Sequence, residues 1–169
     1  MSELRVRNRK RMREKDIKQM SERLSKDLGT ELFGTDDVVD SAESSEFDLI
    51  FVNGQILGLM VEGAPFLTVR GLLRYKATKR FVTVDMGAVP FVTKGADVMG
   101  PGIVDADPEI RSGDLVWVRD VKNLKPLAIG QSLLSGEELR QKRPGKAVRS
   151  LTYVGDKLWK YDEEEGQRK

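Results

Sequence analysis

FVTVDMGAVPFVTKGADVMGPGIV, residues 81–104, decides how this chain is read. Residues 81–85 form an apolar extended run, 88–94 a short amphipathic helix, and the remainder a glycine-rich loop that re-enters a strand. Gly95, Gly100 and Gly102, with Pro101, shape that loop. Glycine has no Cβ, so such a backbone can approach a ligand closely. The same residues would equally serve a tight corner of a small barrel. Following a helix that ends in Lys94, the loop suits a phosphate or nucleotide, and it offers no nucleophile–base pair for bond-breaking chemistry.

Downstream, strands are expected at 114–119, 126–132 and 147–154, with a last one at 157–161 after the Gly155-Asp156 turn. Ser135 with Glu138 three residues on is a capping box opening a helix over 136–140. Short strands at regular spacing, separated by turn signals, point to a small barrel or sandwich. Trp117 and Trp159 fall in these strand patterns and read as core or barrel-closing residues rather than base-stacking platforms.

Upstream, FDLIFV (47–52), Asn53-Gly54 and QILGLMV (55–61) make a β-hairpin around a type I′ turn. Gly63-Ala64-Pro65 breaks the second strand, and TVRGLLRY (68–75) reads as a short helix. Residues 9–28 are expected to be helical, with Ile17, Met20, Leu24 and Leu28 in one apolar stripe and Gly29 as the stop. The pattern changes at 76–80, which sets the domain boundary.

Charge and composition narrow the function. The 169 residues contain no cysteine and no histidine, which excludes disulfides, thiolate or imidazole zinc sites, and Ser-His-Asp or Cys-His catalysis. The net charge of +2 hides segregation. Residues 1–26 hold ten Lys/Arg against four acids, and residues 27–50 hold eight acids and no base. Arg140, Lys142, Arg143, Lys146 and Arg149 form a later window free of acids, the pattern that suits a polyanion. No apolar run is long enough to span a bilayer, and the basic N-terminus is followed by no apolar stretch of a secretory signal. A cytoplasmic location without membrane contact is the expectation.

In order, VDMGAVPFVTKGADVMGPGIV (84–104), SGDLVWV (112–118), LAIGQSLLSGEEL (127–139) and GKAVRSLTYVGDKLW (145–159) resemble a PUA domain. FVNGQILGLMVEGAPFLTVRGLLRY (51–75) is similar to the domain that precedes PUA in the malignant-T-cell-amplified-sequence (MCT/Tma-type) family. The resemblance implies an α+β protein: a small N-terminal α/β pre-PUA domain with a basic first helix (1–78), a PUA-like β pseudo-barrel (79–161), and a charged tail (162–169). It also implies non-catalytic RNA binding in translation. The expected partners are ribosomal or transfer RNA, the small ribosomal subunit and a translation-factor protein. The alternative is an accessory RNA-targeting subunit of an RNA-modifying enzyme. No cofactor is expected. A pseudouridine synthase is rejected, because 78 residues are too few for its catalytic domain.

Carried over by position, the RNA-facing residues are Lys94, Gly95, Ala96, Met99, Gly100, Pro101 and Gly102 in the loop, with Arg140, Lys142, Arg143, Lys146 and Arg149 around the second helix of the module. Backbone N–H groups of the loop would meet phosphate or base edges, and the cations would supply the salt-sensitive affinity. The basic first helix is a candidate second contact with RNA or a protein.

Overall fold

The computed structural model describes residues 4–34 and 36–167, with side chains through Glu163. The chain runs β1 (Val6–Arg11), α1 (Glu14–Leu28), β2 (Val39–Ser44), β3 (Asp48–Val52), β4 (Gln55–Val61), β5 (Ala64–Leu67) and α2 (Val69–Arg74). It continues with β6 (Phe81–Val84), α3 (Val89–Val92), β7 (Val98–Met99), a 3-10 turn (Gly100–Gly102), β8 (Ile103–Ala106), β9 (Leu115–Asp120), β10 (Pro126–Ser132), α4 (Gly136–Arg140), β11 (Lys146–Tyr153) and α5 (Lys157–Gln167). Two compact units result: Met1–Ala77 together with Lys157–Lys169, and Thr78–Asp156.

The first unit is an antiparallel sheet in the order β1-β2-β3-β4-β5. Its centre is the expected hairpin, where Asn53 (φ 51°) and Gly54 (φ 87°) take the left-handed conformations of a type I′ turn. The Asn53 amide also reaches outward: its oxygen accepts the Val38 N–H at 2.8 Å and its nitrogen donates to Asp37 at 2.8 Å. The segment read as a break at Gly63-Ala64-Pro65 is instead a second hairpin, turned by Glu62 (φ 50°) and Gly63 (φ 84°). Pro65 lies in β5, the outer strand of the sheet, where a missing N–H is tolerated.

Thr68 caps α2 by accepting the Gly71 N–H, and its hydroxyl donates to the Ile56 carbonyl at 2.8 Å. A Cβ on Gly71 would stand 2.0 Å from the Leu57 carbonyl oxygen, so a glycine mid-helix lets α2 press onto β4.

Two expectations at the chain ends are corrected. The helix over 9–28 begins only at Glu14, because residues 6–11 pair with β2 as a strand. Arg9 and Arg11 bond Asp40 at 2.9 and 2.6 Å, and this pairing across about thirty residues outweighs the helical preference of Arg and Lys. The strand and tail expected over 157–169 form α5 through Gln167, and this helix belongs to the first unit rather than to the barrel. Leu158 enters the core formed by Leu4, Ala42, Leu49, Phe51 and Ile56. Asp162 accepts the Ile56 N–H, and the Arg70 guanidinium lies over the Trp159 ring at 3.9 Å. Trp159 is therefore a helix residue, not a barrel-closing one. Residues 168 and 169 of the expected tail lie outside the described residues.

The second unit is a six-stranded sheet in the order β7-β11-β10-β9-β6-β8, antiparallel throughout except for β6 beside β9. Its two outer strands, β7 and β8, are consecutive in the chain and joined only by Gly100–Gly102. A three-residue link between opposite edges requires the sheet to curl on itself, which gives the expected pseudo-barrel. The core is Val82, Val84, Val92, Val98, Ile103, Val116, Val118, Leu139 and Val148 with their neighbours. Trp117 is 4% exposed and donates its indole N–H to the Lys79 carbonyl at 2.7 Å, as a core residue should. The capping box of α4 is complete: Ser135 Oγ accepts the Glu138 N–H at 3.2 Å and Glu138 Oε1 accepts the Ser135 N–H at 3.1 Å. Among the described residues no helix is long and apolar enough to cross a membrane.

Candidate functional site

The barrel seam brings the two carried-over segments together. Residues of β7 pair with β11, Met99 opposite Lys146 and Val98 opposite Val148. The Gly100 N–H donates to the Gly145 carbonyl at 2.8 Å, and the Gly102 carbonyl accepts the Asp85 N–H at 2.9 Å. The loop 94–102 and the basic segment 140–149, forty residues apart in sequence, are thus one continuous surface.

The glycines of the loop have distinct tasks. Gly95 has φ +93°, and a Cβ on it would lie 2.7 Å from the Tyr153 ring. A Cβ on Gly100 would lie 1.7 Å from the Arg143 carbonyl oxygen. Both are demanded by packing. Gly102 is more open, its added Cβ meeting only the Ala88 methyl at 3.3 Å. Ala96, Met99 and Pro101 are exposed, whereas Gly100 is buried.

All five cations of the basic segment are exposed, but the acid-free window is compensated from elsewhere in the fold. Arg140 pairs with Asp105 at 3.4 Å, Arg143 with Glu138 at 2.7 Å, and Lys146 with Asp97 at 2.8 Å. Arg149 donates to Gln131 at 2.8 Å, and Arg143 also donates to Gln141 at 2.8 Å. Lys94 and Lys142 have no ion-pair partner among the described residues. Asp97 is held below the usual carboxylate range by its bond to Lys146 and by the Ser150 N–H. Glu138 is lowered by the Ser135 backbone N–H and hydroxyl, with Arg143 adding to it. Both therefore stay ionised and preset the positions of Arg143 and Lys146. Half-exposed pairs of this kind contribute little to stability, and a phosphate can take the place of the carboxylate.

Sequence reasoning missed Phe91. It lies on α3 just before Lys94 and is 65% exposed, while its neighbour Val92 is buried. Met99 on β7 is 50% exposed. The available signal was spacing: a four-residue helix that buries Val92 turns the adjacent position outward. An exposed ring beside a lysine and a glycine loop offers a stacking surface for a base, with cations placed for the backbone. Asp85 and Asp114 are occupied by turns, accepting the Ala88 and Arg111 N–H groups.

The PUA domain family matches residues 80–154. The chain is 35% identical over 162 residues to the uncharacterized protein MJ1432 of Methanocaldococcus jannaschii, covering 92% of this chain and 98% of that one. It is 32% identical over 89 residues to translation machinery-associated protein 20 of Saccharomyces cerevisiae, spanning 49% of each chain. A segment of 102 residues is 37% identical to the archaeosine synthase subunit alpha of Thermococcus kodakarensis, covering 59% of this chain and 16% of that one. Among solved structures, the hypothetical protein PH0734.1 of Pyrococcus horikoshii OT3 superposes with a TM-score of 0.81 at 37% identity, over 91% of this chain and 99% of that one.

Proposed function

The chain belongs to the PUA-domain proteins related to the translation machinery-associated factors, and on that premise we propose that it is a non-catalytic RNA-binding protein of the translation apparatus. It works in the cytoplasm, contacting the small ribosomal subunit, transfer RNA or both. The observation that carries this reading is the seam: exposed Met99 pairs with Lys146 of a segment with five cations, exposed Phe91 and Lys94 lie on the helix and loop that lead into it, and the Gly100–Arg143 contact locks loop and segment together.

Binding proceeds without bond chemistry. Cations draw in the phosphate backbone and set a strong salt dependence. The exposed ring and the loop backbone then select an unpaired or splayed nucleotide, since the major groove of A-form RNA is too narrow for side chains. Salt bridges to Glu138 and Asp97 hold Arg143 and Lys146 in place before RNA arrives, which lowers the ordering cost on binding.

Affinity purification of the full chain from cell extract tests the role. Co-purifying small ribosomal subunits support action in translation. An RNA-modifying enzyme in their place would favour the targeting-subunit role, for which the likeness to archaeosine synthase subunit alpha speaks.

A further inference from the structure

Strand β1 is hard to explain by packing. It is the outer strand of its sheet, and of its six residues only Val6 is half-buried while the other five are exposed. Four of those six residues are Arg or Lys. Crowded like charges oppose folding of the segment, and it gains little apolar burial in return.

The strand is nevertheless held firmly from one side. Asp40 on β2 is 8% exposed and receives both Arg9 and Arg11. Burial acts to raise its carboxyl, yet the bonds from Arg11 and Arg9 hold it below its ordinary value. Arg9 also lies over the Phe51 ring at 4.1 Å. Between these anchors a bulge at Asn8 (φ 53°) interrupts the register between Arg7 and Lys10. Arg7, Lys10 and, at the α1 N-cap, Arg13 are exposed and make no ion pair among the described residues. Glu43 lies opposite Arg7 on β2, and Lys10 shares a groove with Asp16, Glu43 and Asp48. Arg13 occupies a place where an oxygen-bearing side chain would stabilise the helix and a cation does the reverse, and it makes no capping bond.

We propose that the outer edge of β1 is a second RNA-binding surface, on which Arg7, Lys10 and Arg13 grip a phosphate backbone while Asp40 fixes the strand through Arg9 and Arg11. The inference rests on the RNA-binding reading of the barrel and adds a site in the other unit. The chemistry is three exposed cations at every third position, on both sides of the bulge, which suits several phosphates of a polyanion rather than a single phosphate.

The test uses the full-length protein and a fluorescein-labelled 30-nucleotide poly(U) RNA, with affinity measured by anisotropy between 50 and 300 mM salt. The variant R7Q/K10Q/R13Q changes only exposed side chains, and circular dichroism with thermal melting checks its fold. The expected result is a log–log salt slope shallower by about 2, with affinity at the lowest salt weaker by roughly tenfold or more. K142E/R149E, on the barrel, serves as the parallel variant and should lower the slope independently. Loss confined to the barrel variant overturns the β1 surface and leaves the barrel reading standing, a basic edge then being free for a protein partner. No RNA binding by the unaltered protein overturns both.

Discussion

Gly100 lies so close beneath Arg143 that a Cβ on it would stand 1.7 Å from the Arg143 carbonyl oxygen. This contact closes the barrel seam and, in the same stroke, sets the glycine loop against the basic segment. Gly100→Ala should therefore cost stability in the range of about 1–3 kcal/mol, as overpacking against backbone does. Gly102→Ala, with the Ala88 methyl 3.3 Å from its added Cβ, should stay within about 0.5 kcal/mol of the parent. Urea denaturation of both variants decides it, and equal losses would remove the special role of Gly100.

Phe91 is the clearest case of a residue exposed without structural reason. Phe91→Ala should leave the melting temperature nearly unchanged, since the ring is 65% exposed. Affinity for single-stranded RNA should fall by about 1–3 kcal/mol, the worth of one base stacked on an aromatic side chain. Unchanged affinity would leave the ring without a part in recognition.

Asp105 competes with phosphate for Arg140. Asp105 is half-exposed on β8 and pairs with Arg140 at 3.4 Å. Asp105→Asn should release Arg140 and strengthen RNA binding by a few-fold at low salt, with the gain shrinking as salt rises. A weaker complex would show that the pair orients Arg140 productively.

Asp162 gives a pH signature to the first unit. Burial pushes its carboxyl up to about 6, and the Ile56 N–H and Arg70 offset this only in part. The Arg70 Nε lies 3.1 Å away but out of line for a hydrogen bond. The folded protein thus holds a proton that the unfolded chain has lost between pH 3.8 and about 6. The contribution of this group to stability is largest below pH 3.8 and declines as pH rises towards about 6. Relative to Asp162→Asn, the parent should lose on the order of 2 kcal/mol between pH 4 and pH 7. Denaturation curves at both pH values measure this, and a constant difference between the proteins would contradict it.

What could be read from the sequence divides along interaction range. The Asn53-Gly54 hairpin and the Ser135–Glu138 capping box are local chemistry, and both appear as expected. The barrel strands were likewise written in apolar runs bounded by turns. Strand β1 was not, because Arg and Lys favour helix locally and its anchor Asp40 lies about thirty residues away. Helix α5 was hidden for the same reason, since Asp162 meets Ile56 across 106 residues. At the site, the basic residues were visible, but Asp97 and Asp105, which pair with two of them, belong to other segments. The exposure of Phe91 follows from the fold, where the short α3 buries Val92 and leaves the neighbouring ring outward.

Crosslinking the full chain to RNA in cell extract by ultraviolet light, followed by mass spectrometry of the nucleotide-bearing peptides, tests the central claim most directly. Adducts should fall within 91–102 and 140–149, with Phe91, Lys94 and Lys142 foremost. Adducts absent from both segments in a protein that does crosslink RNA would contradict it.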